Sequence, residues 1–414
     1  MPSRNPVTVR VRRFRSVPTQ TKTKTTPRSR IELSGLRLCL TPMDESLPAF
    51  RFGLEESELF WRDQYKFLLE KGYRLGSRYD PEWTPSWTLN KKLRAGLTAD
   101  SIALTKEDLI DAIQVSDDQH VVLKRVNKTR YPHETKIMKY FSEGEIAKDP
   151  RNHCVPVLDV LQAPNDDGHE IVIIPVLREF DSPDFDTIGE CIAFLRQLLE
   201  GFTFLHEHRV AHRDIKIENV MMDSAPLRIE RFNFHFPDRT FDYTGYVEAK
   251  STRTEHPTKY FIIDFGFSSQ FEPEEMPPAL PPLPASDNSA PEFKSLSTPC
   301  DPFPLDVYYV GNMIRMDFID GHEDHPTSKG RLGFEFLRPL IEAMTKEDPS
   351  KRITMGEALV LFDELVSQLG DWKLRSRQLR AGNTGIEQIR GLAGFWRRRL
   401  RYTVTRLPAI PGSS

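Results

Sequence analysis

Residues 188–206 carry apolar side chains at Ile188, Cys191, Ile192, Leu195, Leu198, Leu199, Phe202 and Leu205, an i, i+3, i+4, i+7 stripe without a gap. Such a stripe predicts a helix pressed along its length into a core. The helix ends near Leu205-His206, and the chain then reads His212-Arg213-Asp214-Ile-Lys216-Ile-Glu-Asn219. A buried helix that delivers the chain into this polar run anchors a site to a rigid frame. This juxtaposition constrains the fold more than any other feature of the sequence.

The spacing inside that run has chemical content. An Asp at 214 can accept or orient a hydroxyl proton, and an amide oxygen five residues on, at Asn219, can hold a metal ion beside it. Lys216 lies between them, where an ammonium can meet a transferred phosphate. Further on, Phe261-Ile-Ile-Asp264-Phe265-Gly266 reads as a short apolar strand running into an Asp that can bind Mg²⁺. Gly266 is read as the residue that lets the backbone turn there. Either run alone is weak; their order, with helix and strand leading into them, is specific.

Together these residues resemble the catalytic core of the eukaryotic-type protein kinase family. The resemblance implies an α+β bilobal fold, with a small β-rich lobe carrying one helix and a larger, mainly helical lobe. It also implies a transferase using ATP and Mg²⁺ on a protein substrate. Asp214 would be the catalytic base, Lys216 would contact the phosphate, and Asn219 and Asp264 would hold metal. Lys124, in Val121-Val-Leu-Lys124, would position the nucleotide phosphates, with Glu134 as its ion-pair partner. Ile174, Val176 and Leu177 would form the strand end and hinge that meet adenine, where Pro175 removes a donor. His212, Arg213, Phe265 and Gly266 would be structural or regulatory. Ala290-Pro291-Glu292 would close the activation segment, Arg352 would be the buried partner of Glu292, and Asp306 would brace the catalytic loop. The loop is closer in form to serine/threonine than to tyrosine kinases. The Trp61-Arg62-Asp63 helix, Pro85-Ser-Trp87 and Pro304-Leu-Asp-Val-Tyr-Tyr-Val-Gly311 also resemble kinase-like proteins of basidiomycete fungi.

Three departures from the family pattern stand out. No glycine occurs from Thr98 to Val126, so a glycine-rich phosphate loop is missing, and Asp117 and Asp118 at the hairpin turn would repel phosphates. Residues 223–258 form an insertion, expected as a long hairpin decorating the lobe, with a docking surface as the functional alternative. The segment 272–289 is rich in proline, and within it Ser286 and Ser289 are candidate phosphorylation sites that Arg213 could bind. Two other functions compete: a pseudokinase or scaffold lacking turnover, and a small-molecule phosphotransferase of the same fold. Arg213, Lys216, the Ala-Pro-Glu triplet and Arg352 argue against the second.

The expected organisation is a basic disordered arm over 1–40, an extension over 41–104 packing on the kinase domain, the domain over 105–370, and a basic tail over 371–414. The smaller lobe would span about 105–174 and the larger about 178–370. A helix is expected from about Glu55 to Lys71, with Leu59, Phe60, Tyr65, Leu68 and Leu69 roughly on one face. Tyr79–Trp87 reads as a surface loop covering core edges, in preference to an extended segment packed on another element. A hairpin over Leu109–Val126, a helix from Glu134, a buried strand over 171–174 and a capping box at Thr354-Met-Gly-Glu357 complete the reading.

A net charge of −3 conceals basic ends around an acidic middle. The first thirty residues contain no Asp or Glu, a bias shared with mitochondrial targeting segments, although Pro6, Pro18 and Pro27 break any helix there. Four scattered cysteines suggest a reducing compartment, hence an intracellular, cytoplasmic or nuclear protein. No apolar run approaches the ~18 residues that cross a bilayer. No nucleic-acid binding is expected from the core. The Arg397-Arg398-Arg399-Leu-Arg401 cluster, with Ile389, Leu392, Phe395 and Trp396 nearby, reads as a solvated terminus, or else as a basic amphipathic helix for an acidic partner, a membrane or an import factor.

Overall fold

A computed structural model describes residues 53–412, apart from 284–286, 323–328, 383–384, 386–388 and 390. The smaller lobe is built on a five-stranded antiparallel sheet of order β1-β2-β3-β5-β4. Its strands are β1 (Tyr73–Leu75), β2 (Leu109–Gln114), β3 (Gln119–Asn127), β4 (Asp159–Gln162) and β5 (His169–Pro175). Alternation along β2 and β3 sends Ile110, Ala112, Val121 and Leu123 to one face, where they pack with Ile171 and Ile173 of β5. Helix α1 (Glu56–Glu70) covers that face with Trp61 and Leu68.

The buried side of α1 differs from the expected stripe. Glu58, Trp61, Gln64 and Leu68 face inward, while Leu69 is exposed. The rotation follows from polar contacts. Arg78 grips the wholly buried Glu58 through two hydrogen bonds of 2.7 and 2.9 Å, and the Trp61 indole donates to the Glu107 carbonyl at 3.0 Å. Tyr79–Trp87 is a surface loop rather than an extended segment: a helical turn over Ser77–Tyr79 leads to the single α-turn α2 (Ser86–Leu89). Asp100 gathers this segment by accepting from Trp83 Nε1 and from Ser86 N and Oγ.

The larger lobe is organised around α4 (Ile188–Glu207), reached after α3 (Glu134–Ser142) of the smaller lobe. Thr187 caps α4 by accepting from Glu190 N, and the apolar stripe read from the sequence is buried throughout. Helices α5 (Pro302–Ile314), α6 (Arg338–Met344) and α7 (Met355–Ser367) complete the lobe with the single turn α8 (Asp371–Leu374). Short strands line its upper surface: β6 (Arg178–Glu179), β8 (Val220–Met222) and β9 (Tyr260–Ile262) form one sheet, and β7 (Val210–Ala211) pairs with β10 (Ser269–Gln270). The capping box at Thr354 opens α7 as expected. Thr354→Ala should therefore cost about 1 kcal/mol, read as a lower guanidinium midpoint at constant slope. An unchanged midpoint would remove the cap from the list of stabilising contacts.

The C-terminus is not a solvated tail. Helix α9 (Leu392–Val404) buries Phe395, Arg399 and Tyr402; Arg398 pairs with Asp186 at 2.6 Å, and the Tyr402 hydroxyl donates to Thr252 at 2.8 Å. Beyond it, the Ala409 carbonyl lies where a side chain on Gly189 of α4 would sit, 1.9 Å from an ideal Cβ. Only glycine admits that approach. The insertion is likewise no long hairpin. It runs irregularly between β8 and β9, with isolated bridges Phe232↔Thr240 and Arg239↔Tyr246, and Arg253 ties its return leg to the Phe180 and Pro183 carbonyls. Among the described residues no helix is long and apolar enough to cross a membrane. Ser286 lies outside the described residues.

Candidate active site

The site forms where β3 and α3 above face the β7–β8 connection and the end of β9 below. Lys124 sits on β3 opposite Leu109, on the face away from α1. Its ammonium pairs with Glu134, the first residue of α3, and with Asp264 Oδ1 at 2.8 Å. Burial opposes a charged lysine here, but the two carboxylates outweigh it and hold Lys124 protonated. Burial would also raise Asp264, yet the adjacent ammonium holds its carboxyl below the ordinary range. Such a depressed group stabilises the fold above its unfolded pKa of about 4 and loses that contribution only as pH falls further. At neutral pH Asp264 is an anion.

Below, Asp306 of α5 is wholly buried and accepts from the backbone N–H groups of His212 at 2.7 Å and Arg213 at 2.9 Å. These bonds hold Arg213 at φ +67°, a left-handed conformation seldom taken by side chains of this size. The buried His212 ring meets the Ile263 carbonyl at 3.1 Å and packs on Phe265, which in turn reaches Phe141 of α3. One continuous stack thus joins the two lobes behind the site.

Asp214, only 2 % exposed, receives Lys216 Nζ at 2.9 Å and Asn219 Nδ2 at 3.1 Å on one carboxylate oxygen. The other oxygen, Oδ1, is buried without a partner. Asn219 also donates to the Asp214 carbonyl at 2.8 Å, so its amide oxygen points away from that contact and is available as a ligand. The Asp264 carboxylate and the Asn219 amide oxygen are hard donors of the kind that share Mg²⁺ with phosphate oxygens and water. Among the described residues no cluster of three or more His, Cys, Asp or Glu is set to hold a metal.

Gly266 does not adopt the turn conformation expected of it. Its φ is not in the left-handed region; that conformation belongs to Asp264, at φ +65°. A Cβ on Gly266 would instead meet the Tyr131 ring at 3.2 Å. Arg213 is occupied by neutral groups, Ser269 Oγ and the Pro281 carbonyl, each at 3.0 Å. Glu292 and Arg352 meet as expected, through bonds of 2.6 and 2.9 Å. Of the hinge residues, Ile174 pairs with Val122 and stays half-buried with Val176, whereas Leu177 is turned into the core of the larger lobe.

The missing phosphate loop is also placed differently. The Asp117-Asp118 turn joins β2 to β3, while the connection that arches from β1 to β2 is the long segment 76–108. This segment and the insertion touch each other, through Thr105 and His235 at 3.1 Å. Arg231 of the insertion binds Asp118 at 2.9 Å, and His120, paired with Asp111 at 2.8 Å, lies edge-on to Phe232 and Phe241. No signal in the sequence announced these contacts, since a three-residue strand such as β1 is too short to show a period.

A profile of the protein kinase domain matches residues 108–315. The chain is 25 % identical over 170 residues to serine/threonine-protein kinase pim-2 of Danio rerio, covering 36 % of this chain and 54 % of that protein. It is 31 % identical over 98 residues to serine/threonine-protein kinase CAK1 of Saccharomyces cerevisiae, covering 24 % and 19 % of the two chains. With serine/threonine-protein kinase ppk8 of Schizosaccharomyces pombe it shares 30 % identity over 142 residues, covering 30 % and 27 %. The chain thus spans about half the length of the first of these relatives and less of the others.

Proposed function

This chain belongs to the protein kinase family, and on that premise we propose that it transfers the γ-phosphate of ATP, with Mg²⁺, to serine or threonine hydroxyls of a protein substrate. The observation that carries the reading is the Asp214 carboxylate. One oxygen is fixed by Lys216 and Asn219, and the other is a buried acceptor with no partner. A hydroxyl placed against Oδ1 would have its proton oriented, while the Lys216 ammonium faces the incoming phosphate. Lys124, oriented by Glu134, would hold the nucleotide phosphates, and Ile174, Val176 and the backbone at Leu177 would meet the base. Asp264 and Asn219 would hold the Mg²⁺, which supplies charge neutralisation on the phosphates.

The working unit then extends beyond 105–370, since β1 completes the sheet and α9 is docked on the larger lobe. In place of a glycine-rich loop, the segment 76–108, fastened to the insertion, would cover the phosphates. The proposed likeness to fungal kinase-like proteins draws on Trp61-Arg62-Asp63, on Pro85-Ser-Trp87 within this segment, and on Pro304–Gly311 of α5. A second reading, a scaffold with weak or no turnover, draws on the direct Lys124–Asp264 pair and the absence of a glycine-rich loop.

Phosphorylation of a peptide array from labelled ATP tests the transfer. Nucleotide binding separates the two readings: at about a hundred times its dissociation constant, Mg·ATP should stabilise the chain by about 2.7 kcal/mol. No rise in melting temperature at millimolar nucleotide would favour the scaffold.

A further inference from the structure

Helix α9 is apolar on two sides. Phe395 and Tyr402 enter the larger lobe, yet the outward face carries Leu392, Trp396, Leu400 and Val404 at intervals of four. Leu400 is 66 % and Val404 73 % exposed. Trp372, from α8, extends the patch: it is 72 % exposed, and the Arg399 guanidinium is stacked between its ring at 4.0 Å and that of Trp396 at 5.0 Å. A surface helix needs one buried stripe, and this one presents a second to water. Contiguous exposed leucine, valine and tryptophan mark a contact surface.

Charge selects the occupant. Residues 388–412 contain six arginines and no Asp or Glu; Arg398 and Arg401 are paired with Asp186 and Glu255 and Arg399 is buried, while Arg397 and Arg406 are exposed, Arg397 along the edge of the apolar stripe. A second copy would set arginine against arginine. The chain's own first thirty residues hold nine Lys or Arg and no acid, and would be repelled as well. The face is the convex outer side of one helix, with two tryptophans at its border, rather than a groove. Tryptophan, leucine and arginine so arranged suit the boundary between lipid headgroups and acyl chains. We propose that α9 and Trp372 form a docking face for an anionic phospholipid surface.

The full chain should co-sediment with vesicles of phosphatidylcholine plus phosphatidylserine at least about tenfold better than with phosphatidylcholine alone. Brominated lipid should quench its tryptophan emission, a signal that residues 1–52 cannot produce because they contain no tryptophan. Leu400→Asp with Val404→Asp should lose the quenching and at least about tenfold in binding. Both side chains are exposed, so the melting temperature should hold. Arg397→Glu should weaken binding with the fold intact. Binding and quenching that survive the double substitution would overturn the proposal. So would a concentration-dependent dimer that the substitution dissociates, or capture by soluble polyglutamate without vesicle binding, which would assign the face to an acidic protein.

Discussion

Replacing Asp214 by Asn should lower phosphate transfer by roughly a hundred- to ten-thousandfold, the range over which a positioned acid–base group acts. The substitution keeps the shape of the side chain, so contacts with Lys216 and Asn219 can rearrange locally. It removes a buried anion whose Oδ1 has no partner, and such a group costs stability. The melting temperature should therefore stay level or rise, which separates chemistry from folding. Asp264→Ala should abolish transfer by a different route. It removes the carboxylate proposed to hold the metal and one of the two counterions of Lys124, so nucleotide-induced stabilisation should shrink too. Transfer that persists undiminished in both variants would sink the mechanism.

Arg352→Ala should cost about 3–5 kcal/mol, the range for breaking a buried ion pair from one side. The Arg352 side chain is fully enclosed and Glu292 nearly so, and the guanidinium also donates to the Pro304 and Lys346 carbonyls at 2.9 and 2.8 Å. Its loss strands an anion and two acceptors. Spread over the described chain, the loss corresponds to a melting temperature lower by roughly 4–7 °C. Replacing both partners by Met and Leu should recover much of this, because the stranded charge goes with the pair. Activity should fall further than stability alone requires, since Glu292 closes the segment that Arg213 holds through Pro281. A single variant with an unchanged melting curve would contradict the burial on which the argument rests.

The local parts of this molecule were legible because each left a periodic or stereochemical mark. The α4 stripe, the β2–β3 alternation, the Thr354 box and the two catalytic runs all declare themselves within a few residues. Contacts between such parts left a weaker mark, and some left none. Glu58 lies on the buried face of α1 because Arg78, twenty residues on, meets it there. Asp118 looked like a deterrent to phosphate, but belongs to a different turn and is neutralised by Arg231, which lies 113 residues away. The insertion looked like a decoration, and instead reaches the segment that arches from β1 to β2.

What the chain alone determined, then, is its family: the order and spacing of Lys124, Asp214, Asn219 and Asp264 carry the protein kinase pattern within short stretches of sequence. What only the tertiary structure decided is how that chemistry is enclosed. Pairing of β1, docking of α9 and contact between the two irregular segments rest on side chains distant in sequence, whose charges and shapes become complementary only once the core brings them together.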